Sequence, residues 1–84
     1  MRALDILGRR WSLRVLWELR RGPLTFRELR AACDDVSPSS LAKRVADLRD
    51  LGALELGAVG YALTARGQAL ARILRSLNRW AEGS

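Results

Sequence analysis

Two helix starts lie only twelve residues apart in this chain, at Thr25 and at Ser37. Thr25-Phe26-Arg27-Glu28 has the form of a capping box: the Thr25 hydroxyl accepts from the N–H of Glu28, and the Glu28 carboxylate reaches back to the N–H of Thr25. Leu24 and Leu29 flank it at the staple positions. Ser37 is a good N-cap, and Pro38 at the first helical position forfeits only an N–H that has no partner there. The first helix must therefore end by about Ala32 or Cys33, with Asp34-Asp35 as the turn. The second carries Leu41, Val45 and Leu48 on one stripe and stops at Gly52, a residue that tolerates a left-handed backbone. Two helices held this close can only brace one another across a tight turn.

What flanks the pair narrows the fold further. Trp11, Val15, Leu16 and Leu19 recur at helical spacing, with Ser12, Arg14, Glu18 and Arg21 on the other faces, until Gly22-Pro23 ends the helix. Leu4, Ile6 and Leu7 form a short separate helix jointed at Gly8. After Gly52 the period changes from helical to alternating. Leu54 and Leu56 share a face opposite Glu55, Tyr61 and Leu63 do the same around Ala62, and Gly57-Ala58-Val59-Gly60 turns between them. Thr64 caps a last helix with Leu70, Ile73, Leu74, Leu77 and Trp80 at one-face spacing. The expected class is mainly α with a small β-hairpin: a winged helix–turn–helix occupying residues 1–84 as one domain.

Composition removes most catalytic readings. Histidine is absent, which takes away the commonest metal ligand and general base. No phosphate-cradling glycine loop and no paired carboxylate set stands out, so no enzyme, cofactor or metal is implied. No apolar run approaches the roughly 20 residues of a membrane span, the N-terminus does not read as a signal peptide, and the single cysteine fits a reducing cytoplasm. Fifteen Lys and Arg against nine Asp and Glu give +6, which favours an anionic partner, most often nucleic acid.

That charge is unevenly spread. Residues 1–33 carry eight basic and three acidic side chains, residues 34–63 three and five, and residues 64–84 four and one. The unit that would read DNA is thus net acidic, and the positive charge lies on its supports. Because phosphate contacts usually dominate affinity, they would have to come from Arg9, Arg10, Arg27, Arg30 or Arg66, with dimerisation supplying the rest.

Ser39, Ser40, Lys43 and Arg44 lie where the second helix would meet base edges, and Thr25, Arg27 and Ser37 mark helix ends whose free N–H groups favour phosphate. The bland counterpart is a solvated helix face, with Arg44 paired to Asp47 or Asp50. Asp47 itself fits a partner for Arg44 or Lys43 better than a contact to cytosine. Leu4 and Leu7, with Leu70, Ile73, Leu74, Leu77 and Trp80, offer more apolar surface than one small domain covers, which points to a subunit interface. Cys33 beside Asp34-Asp35 reads as a packed, inert thiol. An alternative of another class is a protein-interaction adaptor presenting the acidic residues 34–63 to a basic partner.

Four segments also resemble one family in the family's own order. Gly8-Arg9-Arg10-Trp11-Ser12-Leu13 resembles the opening motif of the HxlR-type regulators, a branch near the MarR regulators, and Gly22-Pro23-Leu24-Thr25-Phe26-Arg27-Glu28-Leu29 is similar to their Gly-Pro-x-x-Phe-x-Glu-Leu segment. Val36-Ser37-Pro38-Ser39-Ser40-Leu41, with Arg44-Val45 and Leu48, resembles their recognition segment, and Tyr61 to Leu70 their Tyr-x-Leu-Thr-x-x-Gly-x-x-Leu closing motif. The resemblance implies a non-enzymatic transcription factor of bacteria or archaea that dimerises through its terminal helices and binds double-stranded DNA at a pseudo-palindrome. The family's wings are usually longer and contain Pro and Arg; here Gly57-Ala58-Val59-Gly60 has no charge.

Overall fold

A computed structural model describes residues 1–83. Helix α1 (Arg2–Leu7) leads into α2 (Ser12–Glu18), which tightens into a 3-10 turn over Leu19–Arg21. Helices α3 (Phe26–Ala32) and α4 (Pro38–Asp50) follow, then strands β1 (Leu54–Leu56) and β2 (Tyr61–Leu63), and finally α5 (Ala65–Ala81). The strands pair antiparallel, Leu54 opposite Leu63 and Leu56 opposite Tyr61. Leu24 exchanges both backbone hydrogen bonds with Tyr61 at 3.0 and 2.8 Å, so the segment before α3 joins β2 through a single antiparallel bridge. This is the winged helix–turn–helix, and among the described residues no helix is long and apolar enough to cross a membrane.

The caps form as the sequence requires. Glu28 N–H donates to Thr25 Oγ1 at 3.1 Å and Thr25 N–H to Glu28 Oε1 at 2.9 Å, which holds the Glu28 carboxyl below its ordinary range. Ser37 Oγ accepts from the N–H of Ser40, and Thr64 Oγ1 from that of Gly67. Val15, Leu16, Leu19, Leu29, Leu41 and Leu48 make the centre of the core, where α2, α3 and α4 meet. The turn between α3 and α4 places both Asp34 and Asp35 at φ 56°, a conformation that short polar side chains accept better than most. Two arginines fasten it: Arg14 donates to the Ala32 carbonyl and to Asp34, and Arg30 to the Val36 carbonyl.

Four details depart from the sequence reading. The helix expected over Trp11–Arg21 is α-helical only through Glu18, and Trp11 is its N-cap at φ 77° rather than its first inward residue; it packs half-buried against the core. Ser12, placed on an outer face, is fully buried, because its hydroxyl donates to the Ile6 carbonyl at 2.8 Å and so enters the core already paired. Leu56, expected beside Leu54, is exposed, since the hairpin runs past the edge of the core before it turns. In α5 the inward face is Gly67, Ala71 and Leu74, whereas Ile73, Leu77 and Trp80 point away. Among the residues assigned to a subunit interface, Leu74 is thus a core residue: it lies on the stripe that α5 turns to its own domain.

Gly67 explains how α5 comes so close. A Cβ there would meet the Ala53 carbonyl oxygen, well inside van der Waals contact, with the Leu63 side chain 3.2 Å away. Glycine to alanine inside a helix normally stabilises by about 1 kcal/mol. At this site the sign should reverse, with Gly67→Ala costing about 1–3 kcal/mol, as overpacking against backbone does. Urea unfolding followed by circular dichroism would read this as a lower midpoint at unchanged slope; a raised midpoint would contradict the packing.

Candidate nucleic-acid interface

Helix α4 turns Leu41, Val45 and Leu48 inward, which leaves Ser39, Ala42, Lys43, Ala46 and Asp50 on its solvent side. Lys43 makes no hydrogen bond or ion pair among the described residues, so its ammonium is available to an incoming ligand. The hydroxyl of Ser37 is committed: it accepts the Ser40 N–H at 3.2 Å and donates to Ser40 Oγ at 2.9 Å. The exposed Ser39 hydroxyl has only a 3.5 Å contact with Ser37 Oγ. Arg44 is half-buried and donates through Nε to Asp47 at 3.2 Å, the pairing weighed against a DNA contact from the sequence. Ala42 and Ala46 were not singled out by sequence reasoning. Read on the helical wheel with Ser39 and Lys43, they give α4 a nearly side-chain-free strip through which the helix can approach closely, and an alanine methyl is a suitable contact for thymine.

The supporting arginines divide by what they hold. Arg30 is bound to the Val36 carbonyl and Arg66 through Nε to the Leu51 carbonyl at 3.0 Å, so both are structural ties. Arg10 lies over the Trp11 ring at 5.7 Å. Arg9 donates to Asp47 at 2.9 Å, and Arg2 pairs with Asp50. Arg27, exposed in the first turn of α3, has no hydrogen bond or ion pair among the described residues. The structure thus brings Ser39, Ser40 and Lys43 together on one helix end, leaves Arg27 free on its neighbour, and ties Arg44 down. Thr25 and Ser37 cap their helices with their side chains, so a phosphate at either end would meet backbone N–H groups rather than hydroxyls.

The net acidity of residues 34–63 looks different in space. Asp34 is met by Arg14, Asp47 by Arg9 and Arg44, and Asp50 by Arg2. Arginines from α1, its following turn and α2 therefore neutralise Asp34 of the turn and both acids of α4. The tip of the wing carries no charge: Gly57 N–H donates to the Gly60 carbonyl at 2.9 Å and Val59 protrudes. Gly60 is required there, since a Cβ would run into the Leu24 backbone.

A second surface lies on α5. Ile73 is 62% exposed, Leu77 51% and Trp80 77%, all on one stripe next to the half-buried Leu70. Between α1 and α5 this stripe borders an apolar groove of about 250 Å³ lined by Ala3, Leu7, Leu51, Leu70 and Ile73, and Leu4 on α1 is exposed nearby in sequence.

Comparison with known proteins places these surfaces in context. Residues 6–84 match the family model described as HxlR-like helix-turn-helix. The chain is 32% identical to the HTH-type transcriptional regulator YvaP of Bacillus subtilis over 87 residues, covering 95% of this chain and 81% of YvaP. The crystal structure of quinone-bound YodB from B. subtilis superposes with a TM-score of 0.87 at 30% identity, covering 98% of this chain and 93% of that one. A possible HxlR family transcriptional factor from Thermoplasma volcanium superposes at 0.84 with 27% identity, covering 94% and 77%.

Cys33 lies outside all of this. It is fully buried behind α3, and burial pushes its thiol from the ordinary 9.0 up to about 11, with Arg14 opposing. Only the thiolate is nucleophilic. At pH 8 its alkylation in the native protein should run about a hundredfold slower than in urea-unfolded chain, on thiolate fraction alone. Because the unfolded thiol ionises first, Cys33 should also subtract stability as pH rises from about 9 towards 11 and leave it unchanged below that window. Equal alkylation rates in the folded and unfolded protein would contradict the burial.

Proposed function

The chain belongs to the HxlR-like helix-turn-helix family of transcriptional regulators, and from that membership we propose that it acts as a homodimer on pseudo-palindromic promoter DNA. The observation that carries the reading is the outward face of α4, where Ser39 and Lys43 stand unobstructed beside two alanines. Placed in the major groove, such a helix puts its N-terminal residues nearest the bases. Ser39, Ser40 and Lys43 then supply readout, with Arg44 contributing from the edge once its bond to Asp47 is shared. Arg27 and the remaining free backbone N–H groups at the helix ends marked by Thr25 and Ser37 hold phosphates on either side.

The stripe on α5 supports the assembly. Leu70, Ile73, Leu77 and Trp80, with Leu4 and Leu7 from α1, meet the same stripe of a second copy across a two-fold axis, as an isologous interface requires. Two copies of α4 about 34 Å apart then face successive major grooves, and occupation of the promoter blocks or repositions polymerase. The relatives are transcriptional regulators, and a non-catalytic role is part of the same reading.

Lys43→Ala should weaken binding to a duplex selected from a randomised pool by about 1–3 kcal/mol, read by fluorescence anisotropy. Unchanged affinity would remove Lys43 from the interface. Leu77→Glu should convert the dimer to monomer in light scattering and weaken binding to the two-half-site duplex far more than to a single half-site. For the wild-type protein, affinity should fall steeply with salt; a flat response would favour the protein-interaction adaptor instead.

A further inference from the structure

Arg9 and Asp47 form a cluster that the DNA reading does not yet use. One carboxylate oxygen, Asp47 Oδ2, accepts both from Arg9 Nη1 at 2.9 Å and from Arg44 Nε at 3.2 Å. Three residues further along α4, Asp50 is met by Arg2. Arg2 and Arg9 come from α1 and the turn after it, and with Asp5, Ile6 and Asp47 they line a polar cleft of about 330 Å³ between α1 and α4. Every carboxylate on α4 is therefore covered by an arginine from outside the helix–turn–helix.

We propose that Arg9 is a positioning residue for DNA binding: it cancels the Asp47 charge on the flank of α4 and leaves Arg44 a free edge towards phosphate. The inference rests on the proposed DNA reading and adds a role for a residue outside the recognition helix. Physically, a carboxylate flanked by two guanidiniums presents a net positive cluster to an approaching phosphate. With Arg9 absent, Asp47 and Arg44 cancel one another, and the flank becomes neutral at short range. Arg9 is itself half-exposed, at 48% of its side chain, but its guanidinium is directed to Asp47 rather than outward, so its effect on DNA passes through that carboxylate.

Substituting both ends of the pair tests this. Arg9→Gln should weaken binding to the pool-selected duplex about five- to twentyfold, as loss of a nearby unit charge at each of two half-sites does. The slope of log K against log salt should fall by no more than the one contact per half-site that Arg44 gives up to Asp47, and Asp47→Asn should restore it. Asp47→Asn should bind at least as tightly as wild type, and Arg9→Gln with Asp47→Asn should recover most of the loss. Thermal melts of the four proteins, run without DNA, read the Arg9–Asp47 coupling independently. A salt slope reduced by about one per half-site, with no rescue by Asp47→Asn, would make Arg9 a direct phosphate ligand and overturn the proposal. So would full affinity of Arg9→Gln. Failure of the wild-type protein to bind any duplex would instead strike the DNA reading itself, and the melts would still report whether the pair exists.

Discussion

The corner at Gly52-Ala53 holds this structure together. Here α4 stops, the wing begins, and the first turn of α5 lies directly on the backbone. Thr64 donates its hydroxyl to the Gly52 carbonyl and its N–H to that of Ala53, Arg66 binds the Leu51 carbonyl, and Gly67 has no side chain because the Ala53 carbonyl occupies that space. Those carbonyls sit at or just past the C-terminal end of α4, where helix geometry leaves acceptors unpaired. The closing motif from Tyr61 to Gly67 is therefore a clasp. It fixes the angle between the helix that would read DNA and the helix that would meet a second subunit.

Electrostatics follow a similar division of labour. A recognition helix with two acidic residues and a turn with two more is a poor partner for phosphate when counted by sequence. In three dimensions Arg2, Arg9 and Arg14 lie against three of those four carboxylates. Exposed pairs of this kind contribute little to stability, typically under about 1 kcal/mol each. Their consequence is for the field outside the molecule, where uncancelled carboxylates beside Lys43 would repel the duplex.

The fold was largely legible in the chain because its signals are local. Caps, a proline at a helix start and a change of period after Gly52 each depend on a few adjacent residues, and each formed where expected. Apart from the bounds of α2, the errors share one cause, which is that burial depends on partners outside the local pattern. Ser12 is buried because of a carbonyl six residues back, and α5 hides Gly67 and Ala71, two small residues that no hydrophobicity pattern selects, because the wing corner comes so close. The candidate interface was half legible. Spacing along α4 pointed to Ser39 and Lys43 as candidates, and Arg9 was named only as a phosphate contact; that Arg9 and Arg2 reach the acids of α4 from α1 and its turn lies at a sequence distance that no motif spans.

Helix α1 is where these threads meet. At six residues it is too short to be stable alone, so its position depends on what it packs against. Ile6 and Leu7 anchor it to the core, while Leu4 faces solvent, and Arg2 and Arg9 face the carboxylates of α4. In the proposed dimer, burying Leu4 holds α1 in place and thereby holds both arginines on Asp50 and Asp47. Linkage makes the relation reciprocal: whatever dimerisation adds to DNA affinity by this route, DNA must add to dimerisation. Such coupling needs no movement of the recognition helix, only that the short helix supplying its countercharge be firmly seated.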